Sequence, residues 1–228
     1  QSALTLYWDG DHKPWMGYGL TVGTSTLARS FADAKLEYIS RWNLNSVSMD
    51  ISRNFKSTRF IYAGGALVEY VTALKNIELL DTVLLDVNLK YTNADLWAGR
   101  IFRLKGHSSR VSRGLYFTGR VNLYEKLKGP ETSENYLYQY QDRSFYLASV
   151  GLSERGYKTD NMIYTFGRTE DVPLGYKLEL SAGQERGQYD IRYYISGNAS
   201  IAKYYNRAGY IYASASYGTF LNHGISEQ

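Results

Sequence analysis

Three histidines, His12, His107 and His223, are the first side chains to test for chemistry, because imidazole titrates near neutral pH and binds metals. They stand far apart, and none has the His-x-x-x-His spacing that would set two rings on one helix face for zinc. His107 is followed by Ser108 and Ser109. A hydrolase needs Ser, His and an orienting Asn or Asp to meet in space, and adjacency along the chain supplies no such relay. A loop position or a hydrogen bond inside the fold is the better reading of all three. The absence of cysteine removes disulfides, thiolate zinc sites and cysteine nucleophiles. Gly17-Tyr18-Gly19 with Gly23 resembles a phosphate loop only in its glycines, since no Lys-Ser/Thr follows and the neighbours read as a strand. Asn198-Ala199-Ser200 has the letters of a glycosylation site but falls in mid-strand. The chain is therefore expected to be no enzyme and to carry no catalytic residue, cofactor or metal.

The elements that would position any site are strands. Period-two alternation runs through the chain. Val47, Met49 and Ile51 oppose Ser48, Asp50 and Ser52; Leu115, Phe117, Val121 and Leu123 oppose Tyr116, Thr118, Arg120 and Asn122. Tyr176, Leu178, Leu180 and Ala182 oppose Lys177, Glu179, Ser181 and Gly183, while Ile191 to Ile201 alternate with Arg192 to Ser200. Val83, Leu85, Val87, Leu89 and Tyr91 read as one apolar face against Thr82, Asp86, Asn88 and Lys90. Turn-like stretches separate the runs, among them Asn43-Leu44-Asn45, Tyr91-Thr92-Asn93, Lys128-Gly129-Pro130 and Gly187-Gln188. About twelve or thirteen strands result, longer than the usual five or six residues. Leu27, Phe31, Ala34, Tyr38 and Trp42, and again Leu67, Tyr70, Val71, Leu74 and Ile77, fall at helical spacing. Period two fits their flanks equally well, so both are read as strand and turn. The connection from about Tyr124 to Gln141 is the long one, and in a membrane barrel it would be extracellular.

Composition narrows the class. Twenty-three tyrosines and 21 glycines accompany only three prolines in 228 residues. Tyr forms strands and has an apolar body with a polar tip, which suits the edge of a membrane, and outer-membrane barrels carry aromatic girdles there. No run of about 18 apolar residues offers a transmembrane helix. The net charge of +4 is spread along the chain and mixed with acids, unlike the basic face of a nucleic-acid binder. Arg100, Arg103, Lys105, Arg110 and Arg113 cluster around His107 and would suit either a solvated loop or lipopolysaccharide phosphates. The fold class expected is all-β, an antiparallel transmembrane β-barrel or a large part of one. Lys90, Arg120, Lys177 and Arg192 are its lumen-facing candidates, and Val83, Leu85, Val87, Leu89, Leu178 and Leu180 its lipid-facing ones. A Tyr-rich soluble β-protein is the non-membrane alternative.

The stretch Phe166 to Gly183, FGRTEDVPLGYKLELSAG, resembles the barrels of the bacterial surface antigen family, the BamA-like outer-membrane assembly and translocation proteins of Bacteroidetes-type bacteria. Its specific part is the turn Thr169, Glu170, Asp171, Pro173 and Gly175 leading into a strand. The resemblance implies about sixteen strands, periplasmic domains ahead of them, and an Arg-Gly-Phe/Tyr loop in the lumen. The chain departs from this. It shows no periplasmic domain and too few strands, and its Arg155-Gly156-Tyr157 comes early in the barrel. It also ends without a terminal aromatic residue. The expectation is a single domain over residues 1–228, incomplete at its C-terminus, in a bacterial outer membrane. Its expected role is assembly, insertion or translocation of outer-membrane proteins. Its expected partners are membrane lipid, lipopolysaccharide and other assembly proteins, not nucleic acid. A passive pore or structural barrel is the alternative, and a barrel lipid hydrolase a more distant one.

Overall fold

A computed structural model describes residues 2–8, 16–27, 30–55, 61–78, 83–104, 111–131, 137–161, 169–205 and 209–222. They form eleven strands: β1 (Ser2–Trp8), β2 (Met16–Leu27), β3 (Ala32–Arg41), β4 (Leu44–Arg53), β5 (Tyr62–Glu78), β6 (Val83–Leu104), β7 (Ser112–Lys128), β8 (Arg143–Asn161), β9 (Thr169–Gly187), β10 (Ile191–Tyr205) and β11 (Gly209–Asn222). All lie in one sheet in chain order, each antiparallel to the next. The all-β, antiparallel expectation holds. Among the described residues β1 pairs only with β2 and β11 only with β10, so the sheet is open. Because the strand number is odd, β1 and β11 run in the same direction.

Eleven strands replace the twelve or thirteen expected, and Tyr91-Thr92-Asn93 is one reason. These residues are no turn; they sit inside the 22-residue β6. Val71, Tyr70 and Glu69 of β5 pair with them residue for residue, so the ladder continues where Thr-Asn suggested a break. Both helically spaced segments are strand and turn as read: Leu27 ends β2, Ala34 and Tyr38 lie in β3 with Phe31 and Trp42 in turns, and Leu67 to Ile77 fall wholly within β5. Thr169, Glu170, Asp171, Pro173 and Gly175 are likewise no turn, since β9 begins at Thr169 and pairs from there with β8. Pro173 pairs with Tyr157 beyond the reach of β10, whose ladder to β9 ends at Gly175, so its missing N–H breaks no ladder on that side. Gly175 takes φ +132°, and any Cβ there would overlap the Glu154 carbonyl.

Side chains from seven successive strands line one cavity of about 460 Å³: Asp50, Leu67, Asp95, Arg120, Ser149, Glu179 and Asn198. Flat strands about 4.8 Å apart would spread the outer two over roughly 29 Å. The sheet must therefore curl, and these residues mark its concave face. The alternate residues form the convex face, which nothing covers. In β10 exposure alternates on either side of Gly197, with the side carrying Ile191, Ile195 and Ile201 exposed and the other half-buried. Buried apolar residues are few among the described ones: Ala63, Val71, Ala73, Ile77, Leu89, Tyr116 and Val172. Among the described residues there is no second sheet to receive the convex aliphatics.

Candidate functional site

The convex face is predominantly apolar and, over long runs, free of charge. Following the ladder from β4 to β11 gives Ile51, Ala66, Leu96, Val121, Tyr146, Gln184, Tyr193 and Leu221, one residue per strand. Its convex positions hold no charge over 62–70 in β5, 92–98 in β6, 115–123 in β7, 146–152 in β8, 176–184 in β9 and 193–201 in β10. Leu180 is 67% exposed, Leu96 61%, Val68 58% and Tyr217 73%, and it is their sharing one continuous face that sets them apart from singly exposed apolar residues. Leu178 and Leu180, two lipid-facing candidates, stand on this face. Tyrosines mark its ends: Tyr62 and Tyr70 on β5, Tyr146 on β8, Tyr176 on β9 and Tyr193 on β10.

The remaining lipid-facing candidates divide. Val83 and Leu85 belong to β6, but their side chains lie outside the described residues. Leu89 is corrected. It is 1% exposed, pairs with Ala73, and lines a second concave cavity beside Glu69, Tyr91 and Tyr124. Val87, two residues earlier in the same strand, is half-buried on that same face. Lys90 is corrected with it: one residue on from Leu89, it stands on the convex side, beyond the end of the apolar band. The physical reason is a change of phase. Register shifts between Lys75 and Ile77 put one extra residue into β6, so the alternation read from Val83 does not persist to the strand's middle.

Arg120, Lys177 and Arg192 stand on the concave wall. Arg120 Nε donates to both Asp95 oxygens, at 3.0 and 2.8 Å, and Asn122 Nδ2 donates to Asp95 Oδ2 at 3.2 Å. Lys177 pairs with Glu179 at 3.0 Å, and Arg192 Nη2 donates to Glu185 Oε1 at 2.6 Å. Lys35 pairs with Glu37 further round the wall. In each pair the carboxylate is the more buried partner; Asp95 is 7% exposed against 55% for Arg120. The acids sit deeper in the wall, and Arg120 lines the cavity beside Asp95 and Glu179.

Some of this wall lay beyond sequence reasoning. Tyr116 Oη donates to Glu179 Oε2 at 2.6 Å, from β7 to β9, passing over β8. Gly151 pairs with Tyr116 and lies beneath its ring, where an added Cβ would overlap it. Ser149 and Ser181 share a 2.8 Å hydrogen bond next to this bar. A large aromatic beside a glycine on the neighbouring strand is a signal only once register is known. Among the expected basic cluster, Arg100 and Arg113 lie on the convex side and Arg103 on the concave. Arg100 rests against the Tyr62 and Phe102 rings at 5.3 and 4.7 Å, and Arg113 pairs with Glu154. Lys105, Arg110, His107, Ser108 and Ser109 lie outside the described residues, as do His12 and His223. Among the described residues no three His, Cys, Asp or Glu converge as a metal site. The chain matches no protein-family model and no curated protein.

Proposed function

We propose that the chain spans a bacterial outer membrane as the larger part of a β-barrel, with its convex face in the acyl region and its concave wall around a wet lumen. The uncovered, charge-free convex face carries this reading. Soluble monomers rarely expose an apolar patch above a few hundred Å². Two dozen convex side chains showing roughly 70 Å² each would expose on the order of 1,700 Å². At about 25 cal/mol per Å², moving that area from water into lipid is favourable by about 40 kcal/mol. The charge-free runs cover seven to nine residues, and their end residues lie about 20–27 Å apart along the strand. A tilt of about 40° reduces this to roughly 15–21 Å of height, at the thin end of the ~25 Å band of such barrels.

Within that setting, assembly, insertion or translocation of outer-membrane proteins, of the BamA-like kind, is the role we favour. The FGRTEDVPLG stretch supports it, as does the open edge at β11, where residues 211–218 are exposed on both faces. An antiparallel seam between β1 and β11 is excluded by their common direction. Closure in that style takes an odd number of further strands. Arg113, beyond the convex run of β7, and Arg100, beside the end tyrosine Tyr62, suit phosphate groups of lipopolysaccharide. The paired charges and water-accessible cavity of the concave wall favour a second reading, a passive pore.

Fractionation tests the membrane reading. The chain expressed in a Gram-negative host with an export signal should recover with the outer membrane. It should also migrate differently on gels before and after boiling. Monodisperse, folded protein in buffer without detergent would end the proposal.

A further inference from the structure

Two connections fold over the concave face instead of away from it. Phe55, between β4 and β5, sets its ring 6.4 Å from Tyr116. The larger intrusion is the turn at residues 137–142, between β7 and β8. Leu137 takes a left-handed backbone, φ 54°, which is costly for a branched side chain and is kept only where its surroundings hold it. The short 3-10 turn that follows, Tyr138–Tyr140, reaches inward. The Tyr138 ring receives the Arg192 guanidinium at 4.0 Å, from the concave side of β10. Gln139 and Tyr140 line a cavity of about 360 Å³ together with Leu89, Tyr91 and Tyr124 of the wall. Gln141 is 1% exposed, and Leu89 is equally buried. Lys126 holds the base of the connection, donating its backbone N–H to Asp142 and its Nζ to the Pro130 carbonyl at 3.0 Å.

We propose that the turn at residues 137–142 is a plug, latched by Tyr138 on Arg192, which shuts one end of the concave chamber against small hydrophilic solutes. The inference rests on the membrane reading and refines it, since it makes the resting protein a closed chamber and not a steady pore. Arg192 is a poor place to cut the latch, because its loss would strand the buried Glu185. Tyr138 is the better one. Its hydroxyl is buried with no hydrogen-bond partner, so Tyr138→Phe keeps everything the latch uses, whereas Tyr138→Leu keeps bulk and loses the π-face.

The chain has no cysteine, so a reporter thiol reads without background. Leu89→Cys in detergent-solubilised protein should react slowly with a charged maleimide. Tyr138→Leu should speed it about five- to thirtyfold, the population shift expected for losing a partly desolvated cation–π contact. Tyr138→Phe should leave the rate unchanged. Tyr189→Cys, 45% exposed at the same end, should label equally in all three backgrounds. Should Leu89→Cys disturb the fold, Asn93→Cys reports on the same cavity. In planar bilayers the parent should conduct little and Tyr138→Leu more. Equal labelling in parent and Tyr138→Leu, or a large parent conductance that Tyr138→Leu does not raise, overturns the plug. Failure to enter any bilayer, with the labelling contrast intact, defeats the membrane reading and leaves the plug standing.

Discussion

Leu180→Arg separates a lipid-facing sheet from a water-facing one by the size of its effect. Leu180 is 67% exposed at the middle of the convex run of β9, with Leu178 and Ala182 to either side and its Cδ2 against Gly197 of β10. No charge stands near it on that face to pair with a guanidinium. In water, replacing an exposed Leu by Arg should change stability by no more than about 0.5 kcal/mol. At mid-depth in a bilayer the same change costs about 2–4 kcal/mol, falling to about 0–1 near the interfaces. Leu221→Arg, at the rim end of β11, provides the shallow comparison and should cost about 1 kcal/mol or less. Reversible denaturant unfolding in lipid vesicles, followed by tryptophan fluorescence, measures both. An unfolding free energy for Leu180→Arg within 0.5 kcal/mol of the parent, or equal losses at positions 180 and 221, would show that the convex face does not lie in lipid.

Other consequences follow from the concave wall. Gly151→Ala pushes a methyl into the Tyr116 ring and should cost about 1–3 kcal/mol. Tyr116→Phe, which strips a partner from Glu179, should cost a similar 1–3 kcal/mol or so, and the double variant should lose less than the sum because both break one bar over β8; unfolding midpoints of the four proteins decide it. Asp95→Ala removes the buried carboxylate and leaves Arg120, 55% exposed, for water to solvate, and should cost less than about 1 kcal/mol. Arg120→Ala leaves the buried Asp95 carboxylate with Asn122 as its remaining side-chain donor and should cost more, about 1–3 kcal/mol, and the reverse order would contradict the burial asymmetry. Leu89→Ala should lose about 2–5 kcal/mol as a buried cavity mutation, while Lys90→Leu should be near neutral; comparable losses would reinstate the facing read from the sequence.

Much of the fold was legible because alternation in a one-layer sheet has a single cause. Strands β7, β9 and β10 carry apolar residues on one side and mostly polar ones on the other, and their sequence shows that directly. The reading failed where a strand's surroundings change along its length. At Leu89 the concave side is covered by the inward turn, so an aliphatic residue is buried there, and apolarity no longer marks the convex face. The family-motif residues Thr169 to Gly175 failed for a different reason. Gly and Pro punctuate most chains as turns, but here the β8–β9 ladder runs beyond its neighbours, and both residues are tolerated in its strand.

By itself the sequence determined that the chain is β, antiparallel, long-stranded and amphipathic, because those properties depend on nearest neighbours and a period of two. It also identified Leu178 and Leu180 against Arg120, Lys177 and Arg192 as opposite sides of strands. Only the tertiary structure decided that one curled, open sheet leaves the aliphatic side uncovered, that Tyr116 bridges to Glu179 over Gly151, and that residues 137–142 turn inward onto Arg192. Those facts depend on register, curvature and the path of a connection. Each brings together residues dozens of positions apart, and no local pattern of side chains encodes that distance.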